Sequence, residues 1–150
     1  MSLKETIDND LKTALLGGNR FRGEVLRGLK AAVLNEEVAK GLREVGLDDA
    51  AIEQVIAREV KKRNESANIY DGASRPELSE NERAEAKILS EYLPAQASEE
   101  DIQKAIDDAI KQLGAEGMSS MGQVIGAVKS KLGNSADGSI VARLVKNALQ

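Results

Sequence analysis

Few side chains in this 150-residue chain can do covalent chemistry, because it contains no cysteine and no histidine. That removes a thiol nucleophile, an imidazole general base, disulfides and the usual zinc or haem ligands. The carboxylates remain. Glu59 and Arg63 stand at i, i+4 on one helical pattern and, like Glu36 on the preceding pattern, project toward its apolar side. A charge in that position needs a partner, since burying it alone is strongly unfavourable. Glu36, Glu59 and Arg63 are therefore expected to form a structural ion cluster inside or at the rim of a first domain. A catalytic carboxylate is the sharper reading, but no second titrating group is placed beside it by the sequence. No catalytic residue, metal or cofactor is expected.

Two glycine-rich stretches invite other chemistry. Gly117-Met118-Ser119-Ser120-Met121-Gly122 is similar to the Gly-Ser-Ser-Gly stretch of amidase-signature enzymes. Those enzymes also need a lysine and a large sheet core to frame the serines, and no strand pattern supplies one here. The stretch reads as a helix start, with Ser119 or Ser120 as cap. Gly133 to Ser139 has the two-glycine spacing of a phosphate loop, yet the lysine that must follow the second glycine is missing and no strand precedes it. ATP binding is not expected.

Non-covalent recognition of phosphate is the chemistry left. The net charge is −4 and the pI about 5.1, which argues against indiscriminate binding to nucleic acid or to an acidic membrane, so any RNA contact must be a local basic patch. One Phe, two Tyr and no Trp leave few platforms for stacking bases. Arg58, Lys61 and Lys62 lie opposite the Ile52, Ile56, Val60 stripe of one helical pattern, where a solvated face with Glu65 and a phosphate-contacting face are the alternatives. Gly122 and Gly126 share a flank with Lys129, leaving a strip of bare backbone beside a positive charge. Either helices pack closely on that strip or an RNA backbone lies along it. Arg143 and Lys146, one turn apart, point away from Ile140, Val141, Leu144 and Val145, a short loop from Lys129 and Lys131. With amides free at Asp137-Gly138, these four charges form the densest candidate phosphate site.

The elements that must position these residues are all helical. Ile88 to Ser98 organises them: Leu93-Pro94 ends one helix, and Ser98, followed by Glu99, Glu100 and Asp101, caps the next. Before the break, apolar residues recur at helical spacing from Leu3 to Leu15, from Arg20 to Lys40 with Gly41 as stop, from an Asp48 cap to Gly72, and from Pro76 onward. After it come stripes from Ile102 to Leu113, from Met121 to Leu132, and from an Asp137 cap to Ala148. The expectation is an all-α protein, a helical N-terminal domain of about four helices over residues 1–94 and a small three-helix C-terminal domain over 95–150, with Leu, Ile, Val and Ala in both cores. No apolar run approaches membrane-spanning length and Met-Ser-Leu-Lys-Glu-Thr has no signal-peptide core, so a cytoplasmic protein without membrane contact is expected.

Five stretches carry a resemblance. Leu26-Arg27-Gly28-Leu29-Lys30-Ala31-Ala32 with Asn35-Glu36-Glu37, then Arg58-Glu59-Val60-Lys61-Lys62-Arg63, Glu91-Tyr92-Leu93-Pro94, Met121-Gly122-Gln123-Val124-Ile125-Gly126, and Ala136-Asp137-Gly138 with Leu144-Val145-Lys146 resemble the YqeY family over essentially the whole chain. That family is similar to the C-terminal region of the B subunit of the glutamyl/aspartyl-tRNA amidotransferase. The resemblance implies the all-α architecture and a tail that serves tRNA recognition, with the chemistry in domains this chain lacks. One departure is Ser135-Ala136 before Asp137-Gly138, where the family usually carries a basic residue. The expected function is a non-catalytic tRNA-binding or amidotransferase-associated accessory protein, partnered by tRNA and by amidotransferase subunits or another protein, with no DNA. A protein–protein adaptor presenting the Gly122, Gly126 surface, and a glutamine-dependent carbon–nitrogen ligase as the family label has it, are the alternatives.

Overall fold

The computed structural model describes all 150 residues and contains seven α-helices and no strand: α1 Leu3–Leu16, α2 Arg20–Ala39, α3 Asp49–Gly72, α4 Pro76–Ser90, α5 Glu99–Leu113, α6 Met121–Leu132 and α7 Gly138–Leu149. Short 3-10 turns at Met118–Ser120 and Gly133–Ser135 flank α6. The chain divides into two compact units, Met1–Leu93 and Pro94–Gln150.

In the first unit the helix starts follow local chemistry. Ser2 and Glu5 form a reciprocal capping box at α1, Asn19 accepts from the Arg22 amide at α2, and Asp48 accepts from the Ala51 amide at α3. Pro76 occupies the first turn of α4, where its missing amide costs nothing. Ile7, Val25, Leu29, Val33, Ile52, Val55, Ile56 and Leu89 make the core, with no aromatic ring fully buried. Arg83 fastens the α3–α4 hairpin by a 2.6 Å ion pair to Asp71 and bonds to Asn68 and to buried Ser79.

In the second unit Ser98 accepts from the Asp101 amide and starts α5, and Gly114 ends it in the left-handed region at φ +59°, a conformation other residues adopt only with strain. Ile102, Ile106, Val124, Val128, Val141 and Val145 close a three-helix core. The Ala97 amide donates to the Ser135 carbonyl at 2.7 Å, which ties the segment before α5 to the turn after α6. The start of α6 differs from expectation. Neither Ser119 nor Ser120 caps it; the 3-10 turn runs directly into the helix with Ser120 already in helical geometry, and its hydroxyl donates to the Glu116 carbonyl. A serine caps only from an extended backbone, and here the turn supplies the preceding carbonyls instead.

Candidate nucleic-acid interface

On the first unit, α3 carries Arg58, Lys61 and Lys62 outward, all three exposed. Arg58 is not a free cation: one terminal nitrogen lies 3.0 Å from Glu36 on α2, and Glu36 also takes Lys40 at 3.2 Å. Those two partners, Arg58 first, hold the Glu36 carboxyl below the usual carboxylate range. Lys61 and Lys62 form no ion pair, so of the three they are the charges open to a ligand. Between α2 and α3 lies a cleft of about 280 Å³ lined by Ala32, Asn35, Glu36, Val55, Arg58 and Glu59.

The ion cluster expected from Glu36, Glu59 and Arg63 resolves into two groups. Arg63 pairs with Glu59 at 3.4 Å one turn back and reaches across to Glu85 of α4 at 3.0 Å. Glu36 turns the other way, to Arg58 and Lys40. Each helix pair thus has its own bridge, α3 to α4 by Arg63 and α2 to α3 by Arg58. The carboxylate that is fully buried is a neighbour the sequence did not single out, Glu37, only 2% exposed. It accepts from Lys4 at 2.9 Å and from the Leu47 amide at 2.9 Å, which pull its pKa down. Gly46 beside it has φ +83°, and a Cβ there would stand 3.2 Å from the Glu37 carboxylate. The missed signal was spacing: Glu37 follows Val33 by four on the stripe of Leu26, Leu29 and Val33.

On the second unit, a Cβ built on Gly122 or Gly126 meets nothing within 4 Å, so neither α5 nor α7 packs closely on the strip. The four charges expected to converge beside it do not. Lys131 turns to Asp108 of α5 at 3.7 Å, and Arg143 to Glu99 at the start of α5. Those two carboxylates are nine residues apart on one helix, about 13 Å at 1.5 Å per residue. Lys129 lies instead over the start of α7, its Nζ 3.9 Å from a Cβ built on Gly138, and Lys146 is exposed in the last turn of α7. The amides expected to be free there are occupied: the Asp137 carboxylate accepts from Ser139 N at 2.8 Å and from Ile140 N at 3.3 Å. A capping residue that starts the helix also consumes its anion site.

No group of three or more acidic, His or Cys side chains converges to hold a metal ion. What the geometry offers is a pair of open cations beside a polar cleft on one unit and a bare backbone strip along α6 on the other. The sequence matches the family described as Yqey-like protein over residues 4–149, and the chain belongs to that family. It is similar to a glutamyl-tRNA(Gln) amidotransferase polypeptide of Thermococcus gammatolerans, 29% identical over 99% of this chain but only 24% of that protein, so the chain spans about a quarter of the archaeal protein. It is also similar to the fungal "Altered inheritance of mitochondria protein 41, mitochondrial": 27% identical in Pyrenophora tritici-repentis over 93% of this chain and 77% of that protein, and 30% in Kluyveromyces lactis over 63% and 51%.

Proposed function

We propose that this protein is a non-catalytic tRNA-binding accessory factor that works beside a tRNA amidotransferase. The observation that carries the reading is the match of nearly the whole chain to one quarter of an archaeal protein whose name contains both the tRNA and the amide transfer. The geometry agrees in kind. Lys61 and Lys62 stand open on α3, Gly122 and Gly126 leave backbone accessible on α6, and Lys129 of the same helix reaches to the start of α7. The pairs made by Lys131 and Arg143 sit at the surface, where an ion pair contributes about 0–1 kcal/mol, so a phosphate can displace the carboxylate. With no thiol, imidazole or framed serine, glutamine hydrolysis and amide transfer fall to a partner. No helix is long and apolar enough to cross a membrane. We place the protein in the cytoplasm, the compartment that a tagged copy tests against the mitochondrion named in its fungal relatives. The direct test is tRNA binding over a salt series, together with a pull-down probed for RNA and for amidotransferase subunits; capture of neither rejects the reading.

A protein–protein adaptor is the second reading, favoured by a specific surface. Leu34 and Val38 of α2 are 42% and 56% exposed, and Leu34 borders a cavity of about 260 Å³ floored by Ile7, Val33 and Ile52. An apolar anchor of a partner protein suits that floor. Replacing Leu34 and Val38 with Ser abolishes partner capture, but not tRNA binding, if this face is the dock.

A further inference from the structure

The cleft between α2 and α3 has a chemistry of its own. Its floor is apolar, from Ala32 and Val55, and its walls carry Asn35, Glu36, Arg58 and Glu59. At about 280 Å³ it falls just below the roughly 300 Å³ at which pockets for drug-sized ligands begin, so it suits one planar ring system. Two carboxylates in the walls make the interior unfavourable for phosphate. They make it favourable for amino groups. The Asn35 carboxamide forms no hydrogen bond within the chain and offers both a donor and an acceptor. The Glu36 bond at 3.0 Å fixes the Arg58 guanidinium while its side chain stays 62% exposed, leaving a planar cation on which a ring can stack. Lys61 and Lys62 follow Arg58 by three and four residues on the same flank of α3, one turn or about 5.4 Å further on.

We infer that this cleft receives a single unstacked nucleobase from an RNA loop, held by Asn35 and the Arg58 plane, while Lys61 and Lys62 hold the adjoining phosphates. The inference rests on the RNA-binding function proposed above and adds to it a reading of base identity. Sequence-specific recognition of RNA falls mostly on such splayed-out loop bases, stacked on aromatic rings or on arginine planes, and this chain, nearly without aromatic residues, has the arginine. Glu36 is held by Arg58 and Lys40, but Glu59 keeps one oxygen, Oε1, outside its pair with Arg63, and with the Asn35 carbonyl oxygen it accepts from an exocyclic amino group, so the cleft prefers adenine, cytosine or guanine over uracil.

The test uses the full chain and an RNA hairpin with a single-stranded loop, in which each loop nucleotide in turn is made abasic with its phosphate retained. The expected result is one loop position whose abasic or uracil replacement weakens binding about fivefold or more, the loss of one good hydrogen-bonded contact. That sensitivity disappears in Asn35→Ala and in Arg58→Lys, whereas Lys61→Gln plus Lys62→Gln weakens every hairpin equally and lowers the salt dependence. Asn35 is exposed in mid-helix, so the alanine variant folds. If the hairpins bind with a salt dependence but no position is base-sensitive, or if the sensitivity survives Asn35→Ala, the cleft inference is overturned and the proposed function stands. Absence of binding to any hairpin and to tRNA at low salt overturns both.

Discussion

Tyr92 donates its hydroxyl to the Asp10 carboxylate, joining the residue just after α4 to α1 across 82 positions of sequence. Arg22 of α2 completes the knot, donating to the Tyr92 oxygen at 3.2 Å and pairing with Glu91 at 2.9 Å. The end of the first unit is thus held by the Glu91-Tyr92 pair as well as by Leu89 in the core.

Burial first, and then the bond to Asp10, raise the Tyr92 pKa from 10.0 to about 12. The sign follows from linkage: above pH 10 the unfolded chain loses this proton while the folded one keeps it. The contribution to stability is complete below pH 10 and is lost as the pH rises through about 12. In a Tyr70→Phe background, phenolate absorbance should show the remaining tyrosine titrating near the higher value. Thermal unfolding should fall more steeply between those limits than in Tyr92→Phe, which bears no such proton.

Glu37 sits in the core with Lys4 and the Leu47 amide as its partners. Replacing it with Ala leaves that amide without an acceptor and costs roughly 2 kcal/mol. Chemical denaturation should show a lower midpoint with an unchanged slope. Since its pKa is lowered, its contribution is present above the usual glutamate pKa and fades as the pH falls through the lowered value. The acid limb of the stability curve should therefore flatten in Glu37→Gln.

The helices were legible because their signals are local: Ser2, Asp48, Ser98 and Asp137 cap as their positions indicate, and the apolar stripes of α5 and α7 turn inward as spaced except at their ends, where Leu113 and Ala148 are exposed. The site was less legible because charge pairing is long-range. Nothing in the sequence says that Arg143 turns to Glu99 rather than to solvent, or that Arg58 spends one nitrogen on Glu36. Asp137 shows the limit of reading one residue for two roles, since the carboxylate that starts α7 also fills the site expected there for phosphate.

Gly126 lies within α6 with open space where a side chain would be. Gly126→Ala should stabilise the protein by about 0.5–1 kcal/mol through backbone entropy. Under the RNA reading the same methyl weakens tRNA binding. A variant that gains stability with unchanged binding removes the strip from the interface.

Cleavage should begin beside Ala95, because Gln96 and Ala97 are tied to Asn134 and Ser135 while Ala95 is exposed. Mass spectrometry of a brief digest locates the first cut. A first cut between Val25 and Val33 contradicts two separately folding domains.

The salt dependence of tRNA binding reaches the central claim most directly. For the unmodified protein, log affinity should fall linearly with log salt, each phosphate contact adding roughly 0.7 to 0.9 to the slope. Changing Lys61, Lys62, Lys129 and Lys146 together to Gln should weaken binding and flatten that slope, with helicity unchanged. An unaltered slope in the quadruple variant, or no binding by the unmodified protein at low salt, contradicts the account.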